Sequence, residues 1–335
     1  MNRTGKQTVV LNNLPRITET ASVVGQKEYD GNFKDYFDYV IPDGRFGEKS
    51  WEKAESKMQK KAVEILLKKS AKEKGDIDFI AGGDLLNQCI GTSFGLADFN
   101  IPFFGLYGAC STMAESLCIA AMTVDGGYSK NTIAVTSSHF CSSERQFRFP
   151  LEYGGQRPPT SQWTVTGSGA ALVSDKGADI AITHITPGKI VDQGIKDANN
   201  MGAAMSPAAI DTIFTHFQDR KIVETYYDLV VTGDLGKLGH SIAKEQLCKM
   251  GLDFKDKYID CGMEIYDLEN QDVHAGGSGC GCCASVFAGY IYSLLKQGNL
   301  NKVLLVATGA LMSTTSAFQG ESIPGIAHAV AIERV

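Results

Sequence analysis

The feature that most restricts how this chain can fold is that its second half repeats its first. "DFIAGGDL" (78–85) matches "DLVVTGDL" (228–235) at an offset of 150, two apolar runs that both end in Gly-Asp-Leu. Farther on, 108–138 matches 278–308 at an offset of 170, which sets Cys110 on Cys280 and Asn131 on Asn301. "GSGAALVS" (167–174) pairs with "IAHAVAIE" (326–333) as a closing strand in each copy. Short apolar runs bounded by glycine read as buried strands. Each copy therefore reads as helix, strand, connection, small-residue turn, buried helix, strand, strand.

The outer helix of the first copy is expected over 50–73, with apolar residues at 58, 62, 63, 66 and 67 on one face. Its counterpart is expected over 206–222, with Pro207 at the first helical position. Segments 112–124 and 282–295 are apolar nearly all round, so their helices belong between layers. Two such units make an α/β chain, a duplicated layered sandwich of the form α-β-α-β-α. The expected division is 1–175 and 176–335, with a loop insertion over 139–166 in the first half.

Composition narrows the partners. The 335 residues carry a net charge of −6 with no basic tract, which argues against nucleic acid. No apolar run reaches the ~18 residues of a membrane span, and the amino-terminal segment lacks a signal-peptide core. Nine cysteines in a chain of this length read as reduced thiols in a cytoplasm-like compartment.

Chemistry centres on "GLYGACSTMAESL" (105–117). A thiol at the start of a helix meets unpaired N–H groups, so Cys110 is expected to lean toward thiolate. Asp84 and Asp234 end matching strands, where a carboxylate either caps a local turn or lines a pocket. Cys280, Cys282 and Cys283 lack the second ligand pair of a zinc site, so no metal is expected. In the insertion, Arg145 and Arg148 alternate with Phe147, Phe149 and Tyr153, a pattern suited to a flat anionic ligand or to an interface.

The duplicated plan, with a cysteine opening a buried helix of the first half, resembles the thiolase and ketosynthase superfamily. In those enzymes such a cysteine carries the acyl group, assisted by a His and a second His or Asn. Here "TGDLG" (232–236) stands where a His-Gln-Ala-Asn motif would be, and "AGGSGCGCC" (275–283) has no asparagine. A nucleophile without base or oxyanion site is slow. His274 and His240 are the substitutes available to a residual acyltransferase using Cys110.

Seven further motifs, among them "SSERQFRFPLEYGGQRP" (142–158), "TVTGSGA" (164–170) and "ESIPGIAHAV" (321–330), are similar to the stage V sporulation AD family of thiolase-like proteins. That resemblance implies a non-catalytic binder of dipicolinic acid or its calcium chelate, without cofactor. It also implies membrane-embedded sister proteins, a homodimer paired through strand 131–138, and a place on the cytoplasmic face of the forespore inner membrane. The ligand contacts expected are Cys110, Ser137, His139, Arg145, Arg148, Ser278, Asp84 and Asp234. A purely structural subunit of the channel is the third reading.

Overall fold

The computed structural model describes residues 2–147 and 157–335. Among the described residues ten strands form the through-path of a 13-stranded sheet: β1 (Arg16–Val24), β2 (Phe79–Gly83), β3 (Phe103–Gly105), β4 (Asn131–Ser138), β5 (Gly167–Ser174), β6 (Ile180–Thr186), β7 (Leu229–Thr232), β8 (Tyr258–Asp260), β9 (Lys302–Ala310) and β10 (Gly325–Arg334). Their spatial order is β8-β7-β9-β10-β6-β1-β5-β4-β2-β3. In both halves the inner pairs are parallel (β2 with β3 and β4; β7 with β8 and β9) and the closing pairs antiparallel. The repeat seen in the sequence is thus a repeat in topology. The half-sheets meet where Ala181 of β6 pairs Arg16 of β1.

Helices α1 (Trp51–Lys69) and α2 (Ile90–Leu96) cover the outer face of the first half-sheet. α3 (Thr112–Asp125) follows Cys110, α4 (Phe140–Phe147) follows β4, and α5 (Met201–Arg220) with α6 (Gly236–Lys249) covers the second half-sheet. α7 (Cys280–Val286) runs through a widened turn into α8 (Tyr292–Gln297). α3 and α7 each touch strands of both halves and so form the middle layer. Three apolar clusters fill the spaces between layers. Met113, Leu117, Val286 and Phe287 lie in the central one, Met58, Val63 and Leu66 in the first outer one, and Ile213 and Phe217 in the second.

Local sequence explains the elements. Ser50 caps α1 by accepting from the Lys53 N–H at 3.3 Å, and Met58, Ala62, Val63, Leu66 and Leu67 are buried beneath it. α5 begins at Met201, capped by Asn200, five residues before the expected Ser206. Pro207 is therefore inside the helix. Its ring removes the donor to the Ala203 carbonyl, and the Ser206 hydroxyl reaches that carbonyl at 3.4 Å instead. The insertion also differs from expectation, since it opens with a helix rather than a loop. Its far end, Trp163–Thr164, pairs in parallel with Gly277–Ser278.

Candidate functional site

Cys110 lies in a single 3₁₀ turn, Ala109–Ser111, between β3 and α3. Ala109 is left-handed at φ 51°, which turns the chain sharply into the middle layer. Two hydroxyls tie this turn to itself. Ser111 Oγ donates to the Gly108 carbonyl at 2.7 Å, and Thr112 Oγ1 donates to the Ala109 carbonyl at 2.6 Å. From the second half, Gly309 closes on this turn so tightly that a Cβ would stand 2.3 Å from the Gly108 carbonyl.

Asp234, at the end of β7, meets Cys110 here. Its carboxylate accepts from the Gly279 N–H at 2.9 Å, Thr308 Oγ1 at 2.8 Å and Ser278 Oγ at 3.2 Å. The Cys110 thiol lies close to that carboxylate, its sulfur 4.0 Å from Ser278 Oγ. Gly279, at φ 104°, is where only glycine fits, because a Cβ would stand 2.6 Å from Ser138 Oγ. Burial drives the Asp234 carboxyl up to about 6, against the hydrogen bonds that favour its charge.

The thiolate expectation is overturned. Burial pushes the Cys110 thiol well above its ordinary range, and the Asp234 carboxylate beside it pushes the same way. One short turn supplies too little field to reverse that. At neutral pH the pair carries one negative charge, on Asp234.

A small cavity of about 70 Å³ opens beside Cys110. Its walls include Ser278 and Thr164, then Ser143, Glu144 and Phe147 of α4, and the methionines Met201, Met205 and Met312. Among the described residues no lysine, arginine or histidine lines it.

The candidates divide. Cys110 and Ser278 line the cavity, and Asp234 stands behind them, bonded to Ser278. The other described ones lie elsewhere. Asp84 accepts from the Leu86 and Thr92 backbone N–H groups (2.8 and 2.7 Å) and from Thr92 Oγ1 at 2.6 Å, closing its own turn. Ser137 Oγ donates to Glu55 of α1 at 3.2 Å. His139 is buried, which depresses its basicity, with Nε2 2.7 Å from the Gly44 carbonyl. Arg145 pairs with Glu52 and lies over the Trp51 ring on the outer face of α1. Arg148, Phe149 and Tyr153 lie outside the described residues.

Neither substitute base reaches the thiol. His240 faces the Tyr258 carbonyl at 3.2 Å, and His274 pairs with Asp272 at 3.4 Å on the surface. Cys280 donates to the Ser137 carbonyl and Cys282 to the Gly233 carbonyl. Among the described residues no group of three or more His, Cys, Asp or Glu side chains is placed to hold a metal.

Sequence reasoning missed the methionine wall and Ser143. Met201 and Met205 stand four residues apart, the spacing that puts both on one helical face. Ser143 and Phe147 share that spacing within the segment read as a loop.

The family model for stage V sporulation protein AD matches residues 5–333. The stage V sporulation protein AD of Bacillus subtilis (strain 168) is 46% identical over 334 residues, covering 100% of this chain and 98% of that protein. The chain belongs to the stage V sporulation protein AD family. Several solved structures are similar in fold to this family member. The 3-oxoacyl-[acyl-carrier-protein] synthase III of Aquifex aeolicus VF5 superposes with TM-score 0.58 at 12% identity, over 95% of this chain and 99% of that one. A variant of OleA from Xanthomonas campestris gives 0.56 at 11% identity, over 99% and 100%. The tetronic acid condensing enzyme AbyA1 gives 0.61 at 13%, over 95% and 99%. The fold of this sporulation-family chain is thiolase-like.

Proposed function

We propose that this chain is a non-catalytic binding protein for dipicolinic acid or its calcium chelate, serving membrane-embedded partner proteins that load the developing endospore. The observation that carries this reading is the setting of Cys110, a buried thiol whose cavity holds no histidine among the described residues and which stands close to the Asp234 carboxylate. A site of that kind holds a ligand better than it activates a nucleophile.

The cavity suits a flat ring with polar edges. Methionine thioethers pack against aromatic rings and yield to their shape. The cavity, about 70 Å³, is smaller than the ~150 Å³ that admits benzene, so entry displaces flexible side chains such as Met312 and Phe147. Asp234, ionised above about 6, repels a free dianion. The calcium chelate arrives with that charge offset and is the favoured form.

Calorimetric titration with dipicolinate, with and without calcium and beside an acyl-coenzyme A control, tests the reading. The expected result is saturable binding that a cavity-filling Cys110→Leu variant, folded by circular dichroism, weakens at least tenfold. The free acid is expected to bind more weakly as pH rises through about 6, and the chelate to show no such loss. No dipicolinate binding together with acylation of Cys110 would overturn the reading in favour of a residual acyltransferase.

No helix among the described residues is long and apolar enough to cross a membrane. Delivery to the forespore inner membrane therefore calls on membrane partners that dock at its cytoplasmic face. For self-association, β4 is the wrong edge, because β2 and β5 already pair both its sides. Of the two end strands, β8 and β3, β3 is the one that presents exposed rings, with Phe104 46% exposed beside exposed Tyr107. A second copy pairing there accounts for those rings, and Phe104→Asp is expected to convert a dimer to monomer by light scattering. A wild-type chain that is monomeric at high concentration would overturn this.

A further inference from the structure

We infer that Ser143 is a ligand-binding residue of the Cys110 cavity, donating its hydroxyl hydrogen bond to an acceptor oxygen, such as a carboxylate, on the bound molecule. The inference rests on the binding reading above and adds a residue to which no contact had been assigned.

Ser143 is 2% exposed, and its Oγ has no hydrogen-bond partner among the described residues. Of the cavity-lining side chains it alone carries a buried polar atom in that state. Buried hydroxyls are nearly always paired, and one left unpaired asks for a reason. A serine within a helix ordinarily bonds back to a carbonyl one turn earlier. Here that acceptor, the His139 carbonyl, already takes the Ser143 N–H at 3.0 Å and Ser142 Oγ at 3.0 Å. Both of its lone pairs are in use.

The helix that carries Ser143 is pinned on its other sides. Ser142 Oγ donates to Glu55 at 2.6 Å, Arg145 pairs with Glu52, and Gln146 accepts from the Asn87 N–H and donates to the Leu85 carbonyl, each at 2.9 Å. Ser143 is therefore held in the wall of the cavity on a fixed element, its hydroxyl just beneath the surface and positioned as a donor once a ligand parts the wall. Across the cavity, Ser278 Oγ is committed as donor to Asp234. Ser143 therefore carries a buried wall hydroxyl that remains free to recognise an oxygen, while the methionines meet the ring.

The test compares wild type with Ser143→Ala and Ser143→Cys. Each is titrated with dipicolinate in excess calcium and again in chelator, and melted without ligand. The expected result is an unchanged or raised melting temperature for Ser143→Ala, because the lost hydroxyl bonds nothing in the empty protein. Its affinity is expected to fall about ten- to a hundredfold, the usual effect of losing a hydrogen bond to a charged group. Ser143→Cys, a near-isostere with a weaker donor, should fall between. Wild-type binding with equal affinity in Ser143→Ala overturns the inference and leaves the binding reading intact. A lower melting temperature with unchanged affinity likewise overturns it, as the mark of a structural hydroxyl. No binding by wild type overturns the reading itself, and the inference with it.

Discussion

Asp84 and Asp234 end equivalent strands in the same Gly-Asp-Leu triplet, yet they do different things. Asp84 spends its carboxylate on the turn that follows it, taking Leu86 and Thr92. In the second half that job passes to Asp260, at the end of the neighbouring β8. Asp260 accepts from the Leu235 N–H at 2.8 Å and the Gly236 N–H at 2.9 Å. Asp234 is released from its own turn and bonds residues 44 to 74 positions away, at Ser278, Gly279 and Thr308. A duplicated motif becomes a site when a third residue takes over its structural task.

The largest expected effect tests the capping half of that comparison. Asp84→Ala leaves two buried backbone donors without a partner, so unfolding in denaturant should show a loss of about 3 kcal/mol. Whatever protein remains folded should bind dipicolinate within about twofold of wild type. A large drop in affinity with little loss of stability would place Asp84 in the site and break the contrast.

Asp234→Asn tests the other half through pH. The folded-state pKa, about 6, is raised above the unfolded value, so the folded chain holds a proton that the unfolded chain has released. The stability this brings is fully present below the unfolded value near 3.8 and is lost as pH rises through about 6. The asparagine variant does not titrate. It should match wild type near pH 4 and exceed it by about 2 kcal/mol at pH 7. Urea unfolding at the two pH values decides this, and parallel pH profiles would mean that Asp234 is not the titrating group. Glu55, which burial and then the Asp84 charge drive up to about 8, adds the same slope to both proteins.

The smallest effect concerns the paired cysteines of the repeat. Brief alkylation at pH 7 followed by mass spectrometry should modify exposed Cys248 first, Cys110 at least tenfold more slowly, and fully buried Cys280 last. Cys110 reacting before Cys248 would restore the low-pKa thiol and the enzyme reading with it.

Much of the fold was legible because burial writes itself into periodicity. The apolar face of α1, the all-round apolar α3 and α7, and the matched strands each follow from spacing that packing enforces. The boundaries that failed are those where one side-chain bond overrides a local signal. Ser206 rescues the carbonyl that Pro207 orphans, so α5 starts at Met201 instead. In the insertion, Arg145 reads as ligand-facing beside its aromatic neighbours, yet α4 turns it onto Glu52 and Trp51. The direction in which a helix presents its faces is set by what it docks against.

The sequence by itself determined the duplication, the layered sandwich, the lack of the expected base motifs and the place of Cys110 before a buried helix. These depend on composition and spacing, which every copy of the fold must satisfy. Only the tertiary structure decided that burial raises the thiol's pKa, that Asp234 rather than Asp84 stands beside it, and that Ser143 lines the cavity with its hydroxyl unpartnered. Each of those depends on groups brought together from distant parts of the chain, where desolvation and competition for hydrogen bonds outweigh what any short stretch prescribes.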